Sequence, residues 1–259
     1  MLEPYRMIGD HHALAQCGLF VAEGRLVVER LLEAGRFRVH SVLVTPAAER
    51  ALAGALARRP EVAVHVCAPE ALRDVTGFDF HRGCVALAYR PDDASGGVEL
   101  ASTRRLLAIE SVRDPDNVGG LFRTALAFGV DALVLDAATA DPLYRKAVRT
   151  SMAATLRLPF LRAAEWLPTL ASLRAGGVRI IALTPHPDAV PLASVTGRHG
   201  ERIAIAVGSE GDGLRPETLA CADLRVRIPV DPRADSLNVV SAAAIALYQL
   251  TSQFTSAGS

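Results

Sequence analysis

The strongest constraint on this chain is a set of short, almost wholly apolar runs in its second half. They are "LLAI" (106–109), "ALVL" (132–135), "RIIAL" (179–183) and "IAIAV" (203–207). A strand with one wet face alternates apolar and polar residues; these do not, so both of their faces must be covered. Between them lie helical patterns such as "LFRTALAFG" (121–129) and "WLPTLASLRAGG" (166–177), the latter closed by glycines. Buried strands separated by helices specify a parallel sheet with helices on both sides. Ligands of such sheets sit beyond the carboxyl ends of the strands. That singles out the loops 112–120, 184–200, 208–216 and 229–238. "RDPDNVGG" (113–120) reads as a polar turn, and "DPLYRKAVRTSMAATLRLPF" (141–160) as mostly helix. A long Ala-rich helix follows "DS" (235–236), with Asp235 or Ser236 placed to cap it.

The first half repeats the alternation on a smaller scale. "GLFVAEG" (18–24), "RVHSVLVT" (38–45), "EVAVHVC" (61–67) and "RGCVALAYR" (82–90) read as strands. "RLVVERLLEAG" (25–35), "PAAERALAGALARR" (46–59) and "PEALRDVTG" (69–77) read as helices. Then "PDDASGGVELAST" (91–103) turns rich in Pro, Asp, Ser and Gly, as linkers do. The expected organisation is a small α/β domain over 1–92, a linker over 93–103 and a second α/β domain over 104–259.

Several functional classes are excluded. Twenty-eight basic residues balance twenty-eight acidic ones, so no global charge draws the chain to nucleic acid or membrane. Four scattered cysteines without a C-x-x-C form neither a zinc site nor a disulfide framework. No apolar run approaches the roughly 18 residues of a spanning helix, and no signal-type stretch opens the chain, so a cytoplasmic protein is expected. "VGSEGDGL" (207–214) is Gly-rich, yet Glu210 and Asp212 would repel a phosphate. It is not the G-x-G-x-x-G of a dinucleotide site, no Walker sequence is present, and Ser209 lies outside any G-x-S-x-G elbow.

Three segments, in order, resemble the motifs of one family. "DPDNVGGLFRTALAFG" (114–129), "IAVGSEGDGL" (205–214) and "RIPVDPRADSLNVVSAAAIALY" (227–248) are similar to the three motifs of the SpoU/TrmH RNA 2′-O-ribose methyltransferases of the SPOUT superfamily. "YRKAVRTSMAATLRLP" (144–159) resembles the segment between the first two, so the likeness spans about 105–250. "FVAEGRLVVERLLEAG" (20–35) resembles the substrate-binding domain attached to many members. The resemblance implies a parallel sheet whose end is threaded into a deep trefoil knot, preceded by a small α/β RNA-binding domain. It implies S-adenosylmethionine as cofactor, no metal, an RNA substrate (ribosomal RNA ahead of transfer RNA) and a homodimer packed through the knotted domain. A non-catalytic RNA-binding or ribosome-assembly protein on the same fold is the alternative.

Carried over residue by residue, Asn117, Arg123 and Glu210 stand at the catalytic positions. Thr184, Gly208, Glu210, Gly211, Gly213, Ile228, Ser236, Leu237 and Asn238 stand at cofactor positions. Guanidinium is effectively always protonated, so Arg123 suits orientation of a phosphate and of a developing 2′ alkoxide better than proton abstraction. Arg145, Lys146 and Arg149 are the expected RNA contacts, in a segment that also holds Arg157 and Arg162. Arg25, Arg30, Arg36 and Arg38 are less dense candidates in the first domain. Two positions depart from the family pattern: Ser209 replaces a common Asn, and Ala153 a common Gly.

Overall fold

The computed structural model describes residues 2–77, 83–91, 100, 102–196, 200–231, 233–234 and 236–255. Most of the expected linker 93–103, and Asp235, lie outside them. The chain divides into two compact units: Met1–Asp92 with Asp141–Arg157, and Asp93–Ala140 with Leu158–Ser259.

The first unit opens with two short helices, α1 (Glu3–Arg6) and α2 (His11–Gln16). Then β1 (Leu19–Glu23), α3 (Arg25–Ala34), β2 (Val39–Val44), α4 (Pro46–Ala57), β3 (Ala63–Val66), α5 (Pro69–Thr76) and β4 (Cys84–Tyr89) alternate. Helix α3 buries Val27, Val28, Leu31 and Leu32 and stops at Gly35, whose φ of 64° admits no Cβ cheaply. Thr45 caps α4 by accepting from Ala48 N, with Pro46 in the first turn. The sheet order is β1-β4-β2-β3; β4 runs antiparallel to both neighbours, and β3 parallel to β2. Pairing of β2 with β4 steps from Val39↔Ala88 to Ser41↔Leu87, which leaves His40 as a bulged residue.

The second unit begins with β5 (Arg105–Ile109), α6 (Pro115–Ala127) and β6 (Ala132–Leu135). The chain then supplies α7 (Arg145–Thr150) and α8 (Ala154–Arg157) to the first unit. There Arg30 donates to Met152 O at 2.6 Å, and Arg90 and His11 both meet Asp141. The second unit resumes with β7 (Phe160–Arg162), α9 (Trp166–Ala175), β8 (Val178–Leu183), β9 (Val190–Pro191), β10 (Arg202–Val207), α10 (Pro216–Cys221), β11 (Leu224–Arg227) and α11 (Val239–Thr255). Its seven strands are ordered β7-β6-β5-β10-β8-β11-β9, and every pair is parallel. Residues 106–109, 132–135 and 203–207 are buried without exception, as their unbroken apolar character requires. Among the described residues no helix is long and apolar enough to cross a membrane.

Three local readings change. The expected turn 113–120 is largely helix: Asp114 caps α6 by accepting from Asp116 N at 2.9 Å, and Pro115 occupies the first turn. Gly120 is there for packing, since a Cβ would lie 2.8 Å from Val240 Cγ2 on α11. The expected long helix of the middle segment is two short ones, broken where Met152 and Ala153 take φ of 52° and 67°. The last helix starts at Val239, and its cap is Asn238, whose Oδ1 accepts from Val240 N at 2.9 Å.

Candidate active site

A cleft of about 560 Å³ opens at the carboxyl ends of β8, β10 and β11. Leu183 and Thr184 line it from the end of β8, residues 207–214 from the end of β10, and Ile228 and Val230 from beyond β11. Ser236, Leu237, Val239 and Ala242 close it from the start of α11.

The loop after β10 folds tightly on itself. Gly213 N donates to Ser209 O at 3.0 Å, and Asp212 N to Ser209 Oγ at 3.3 Å. The three glycines do different jobs. A Cβ on Gly208 would lie 2.2 Å from the carbonyl carbon of Gly213 and 2.4 Å from Leu214 N, so close backbone approach demands glycine there. Gly213 has φ of 69° and needs glycine for conformation. Gly211 satisfies neither condition: a Cβ there would meet nothing within 4 Å, and the position opens into the cleft.

The far end of the loop is anchored by a carboxylate. Glu110, fully buried just past β5, accepts from Arg215 N at 2.9 Å, Arg215 Nε at 2.5 Å and Thr218 Oγ1 at 2.8 Å. Thr218 in turn receives Trp166 Nε1 at 2.9 Å. The hydrogen bond that Arg215 donates to Glu110 raises its guanidinium pKa above the ordinary value. Sequence reasoning missed Glu110; its only signal is an acid closing an apolar strand in "LLAIE". Beside it, Ser111 is held at φ 58° while donating N and Oγ to the buried Asp136. That pair starts the loop leading into α6.

The three polar residues of the three segments meet. Asn238 Nδ2 donates to Glu210 Oε1 at 2.5 Å and to Asn117 Oδ1 at 3.1 Å. Its Oδ1 serves α11, so the amide has one consistent orientation.

Thr184, Gly208, Glu210, Gly211, Gly213, Ile228, Ser236 and Leu237 all line the cleft; Asn238 is not among the lining residues but bonds Glu210, which is. Arg123 is not among the lining residues. Six residues beyond Asn117, it lies about 120° around α6 at 100° per residue, exposed and, among the described residues, without a hydrogen bond or ion pair. His186, in the loop after β8, lines the cleft mouth. In the first unit, Arg145 and Arg149 both pair with Glu23, at 3.4 and 3.3 Å, which commits part of their charge locally. Lys146 on the same helix is half-buried. Among the described residues no group of His, Cys, Asp and Glu could hold a metal ion.

Residues 104–248 match the SpoU rRNA Methylase family. The chain is 41% identical over 240 residues to an uncharacterized tRNA/rRNA methyltransferase of Mycobacterium tuberculosis, covering 90% of this chain and 81% of that one. It is 33% identical over 187 residues to the 23S rRNA (guanosine(2553)-2′-O)-methyltransferase RlmP of Bacillus subtilis, covering 72% and 71%. Its structure matches the AdoMet-bound rRNA methyltransferase of Sinorhizobium meliloti with a TM-score of 0.80 and 26% identity, over 96% of this chain and 92% of that one.

Proposed function

The chain belongs to the SpoU rRNA Methylase family, and on that premise we propose that it transfers the methyl group of S-adenosylmethionine to a ribose 2′-hydroxyl of ribosomal RNA in the cytoplasm. The observation that carries this reading is the hydrogen-bonded meeting of Asn117, Glu210 and Asn238 beside a cleft of cofactor size. The cleft suits this cofactor. Val207, Leu214, Ile228 and Leu237 supply apolar walls for a purine. Glu210 and Asp212 complement a ligand whose sulfonium and ammonium are both positive, which resolves why a Gly-rich loop is acidic. Gly211 leaves room for a ligand against the loop backbone.

When bound, S-adenosylmethionine supplies an electrophilic methyl carbon on a positive sulfur. The chain's own residues hold and orient. Gly208, Gly213 and Glu110 keep the loop in shape; Thr184 and Ser236 offer hydroxyls into the cleft; Leu237 offers an apolar surface. Asn238 keeps the Glu210 carboxylate facing Asn117. Arg123, with its guanidinium uncommitted, is free to clamp the phosphate next to the target ribose and to stabilise charge as it grows on the 2′-oxygen. Arg145, Lys146 and Arg149 add phosphate contacts.

We place a homodimer interface on α11. Ala243 and Ala246 are consumed by the protein's own core, whereas Ile245 and Tyr248 are exposed, with Phe128, just past the end of α6, packed edge-on to Tyr248 at 6.3 Å. Light scattering should report about twice 27.5 kDa.

The deciding experiment incubates the protein with methyl-labelled S-adenosylmethionine and deproteinised ribosomal RNA, then maps 2′-O-methylated nucleotides. Label should enter a ribose. Tight RNA binding without transfer to any RNA would instead indicate a non-catalytic assembly factor.

A further inference from the structure

The bulge in the first unit's sheet has a chemical consequence. Side chains alternate along a strand, so one inserted residue moves everything before it to the opposite face. Beyond the bulge, Ser41 and Leu43 face α1: Ser41 Oγ bonds the Tyr5 hydroxyl at 2.8 Å, and Leu43 packs with Tyr5. An unbulged β2 would turn Arg38 and His40 away from that face. The inserted residue brings them onto it, beside Tyr89 at the end of β4. Arg38 Cζ lies over the Tyr89 ring, 3.7 Å from its centroid, and the His40 ring is 5.6 Å from the same centroid.

The cluster is held from behind and open in front. His40 Nδ1 and Ser41 Oγ are 2.7 Å apart, so Tyr5, Ser41 and His40 form one hydrogen-bonded row. Tyr89 is half-buried and Arg38 is exposed. Among the described residues Arg38 carries no hydrogen bond or ion pair, whereas Arg30, Arg59, Arg90, Arg145 and Arg149 of the same unit are each committed to an acid or a carbonyl. Burial, with His65 and Arg38 nearby, lowers the pKa of His40.

We propose that Arg38, His40 and Tyr89 form a subsite for one unpaired nucleotide of the RNA substrate. Arg38, seated on Tyr89, presents its outer face to a base and its N–H edge to the neighbouring phosphate. Such platforms are how proteins read unstacked RNA. The inference rests on the RNA methyltransferase reading. It adds a recognition element in the first unit, apart from the cleft residues.

The test uses the full chain and two probes, deproteinised ribosomal RNA and a short single-stranded RNA oligonucleotide. Variants are Arg38→Ala, Arg38→Lys and Tyr89→Leu. Arg38→Ala should raise the Kd for both RNAs about tenfold, the scale of one lost stacked base, and reduce the salt slope by about one. Arg38→Lys should keep the salt slope and lose most of the affinity. Tyr89→Leu should weaken RNA binding in the same direction. For all three the lost turnover should be recovered at saturating RNA, and S-adenosylhomocysteine affinity should not change. RNA Kd values within twofold of wild type for folded Arg38→Ala and Tyr89→Leu, while wild type methylates RNA, would overturn the subsite and leave the activity intact. A wild-type protein that neither binds nor methylates RNA would overturn both readings.

Discussion

Asn238 donates its side-chain amide to Glu210 at 2.5 Å, linking residues 28 positions apart in sequence, and donates also to Asn117. The same side chain caps α11 through Val240 N. One residue thus ties the loop after β10 to the first turn of α6 and to the start of α11. Asn238→Ala should lose about 1 kcal/mol through the cap, and S-adenosylhomocysteine affinity should fall about tenfold because Glu210 and the loop lose their brace. Asn238→Asp should keep the cap yet place a carboxylate against Glu210, so its affinity should fall further than its melting temperature. Calorimetry beside thermal melts separates the two effects; equal affinity in all three proteins would remove the brace.

Gly208 and Gly211 look alike in sequence and differ in space. Gly208→Ala forces a methyl into the backbone of Gly213 and Leu214, so the loop must open. Binding of S-adenosylhomocysteine should be lost and the melting temperature lowered. Gly211→Ala meets nothing of the protein within 4 Å, so stability should stay within about 0.5 kcal/mol of wild type. Its cofactor affinity should nevertheless drop, because the added methyl enters the cleft. Unchanged affinity in Gly211→Ala would move the ligand away from this loop.

Glu110 is buried with three donors aimed at it. Glu110→Ala leaves the buried Thr218 hydroxyl and the half-exposed Arg215 without their acceptor and should cost about 1–3 kcal/mol. Glu110→Gln retains shape and an acceptor oxygen but brings an N–H among donors, so an intermediate loss is expected. Denaturant titration of both variants checks the order; a Glu110→Gln stability equal to wild type would show the negative charge to be dispensable.

The buried strands of the second unit were legible because double burial removes alternation, and a run such as "RIAIAV" then has few other uses. The start of α6 was misread as a turn although Asp-Pro is a capping signal; Gly119 and Gly120 outweighed it, and only the approach of Val240 explains Gly120. Helices α1 and α2, of four and six residues, are too short for a period to emerge. The glycine spacing of the cleft loop could be read directly. Glu110 could not, since its partners lie 105 and 108 residues away. The docking of 141–157 on the first unit is likewise a relation in space alone. Ala153 falls between these cases. The resemblance leads one to expect glycine there, and Ala153 takes a φ of 67°. Ala153→Gly should stay within about 1 kcal/mol of wild type, relief of strain offsetting the lost buried methyl and the added chain entropy. Ala153→Val should cost several times more, since a β-branched residue tolerates this backbone least and the site is fully buried. Equal melting temperatures for the two would show that φ is not what constrains the position.

Arg123 offers the sharpest test of the chemistry. It is exposed on α6 and carries no hydrogen bond or ion pair among the described residues. Arg123→Ala should therefore keep its melting temperature and its S-adenosylhomocysteine affinity. If the guanidinium acts on charge developing at the 2′-oxygen, the single-turnover rate at saturating RNA and cofactor should fall by roughly two to three orders of magnitude, the scale of a lost oxyanion donor. Arg123→Lys should recover little, because a point charge cannot bridge a phosphate and an alkoxide as a planar fork does. An arginine that only anchored RNA would behave differently. Its alanine variant would raise KM and return to the wild-type rate once RNA saturates, and Lys would rescue it by restoring the charge. A near-wild-type single-turnover rate for Arg123→Ala therefore assigns Arg123 to binding and passes the alkoxide to another donor, for which Asn117, held by Asn238, is the neighbour already in place.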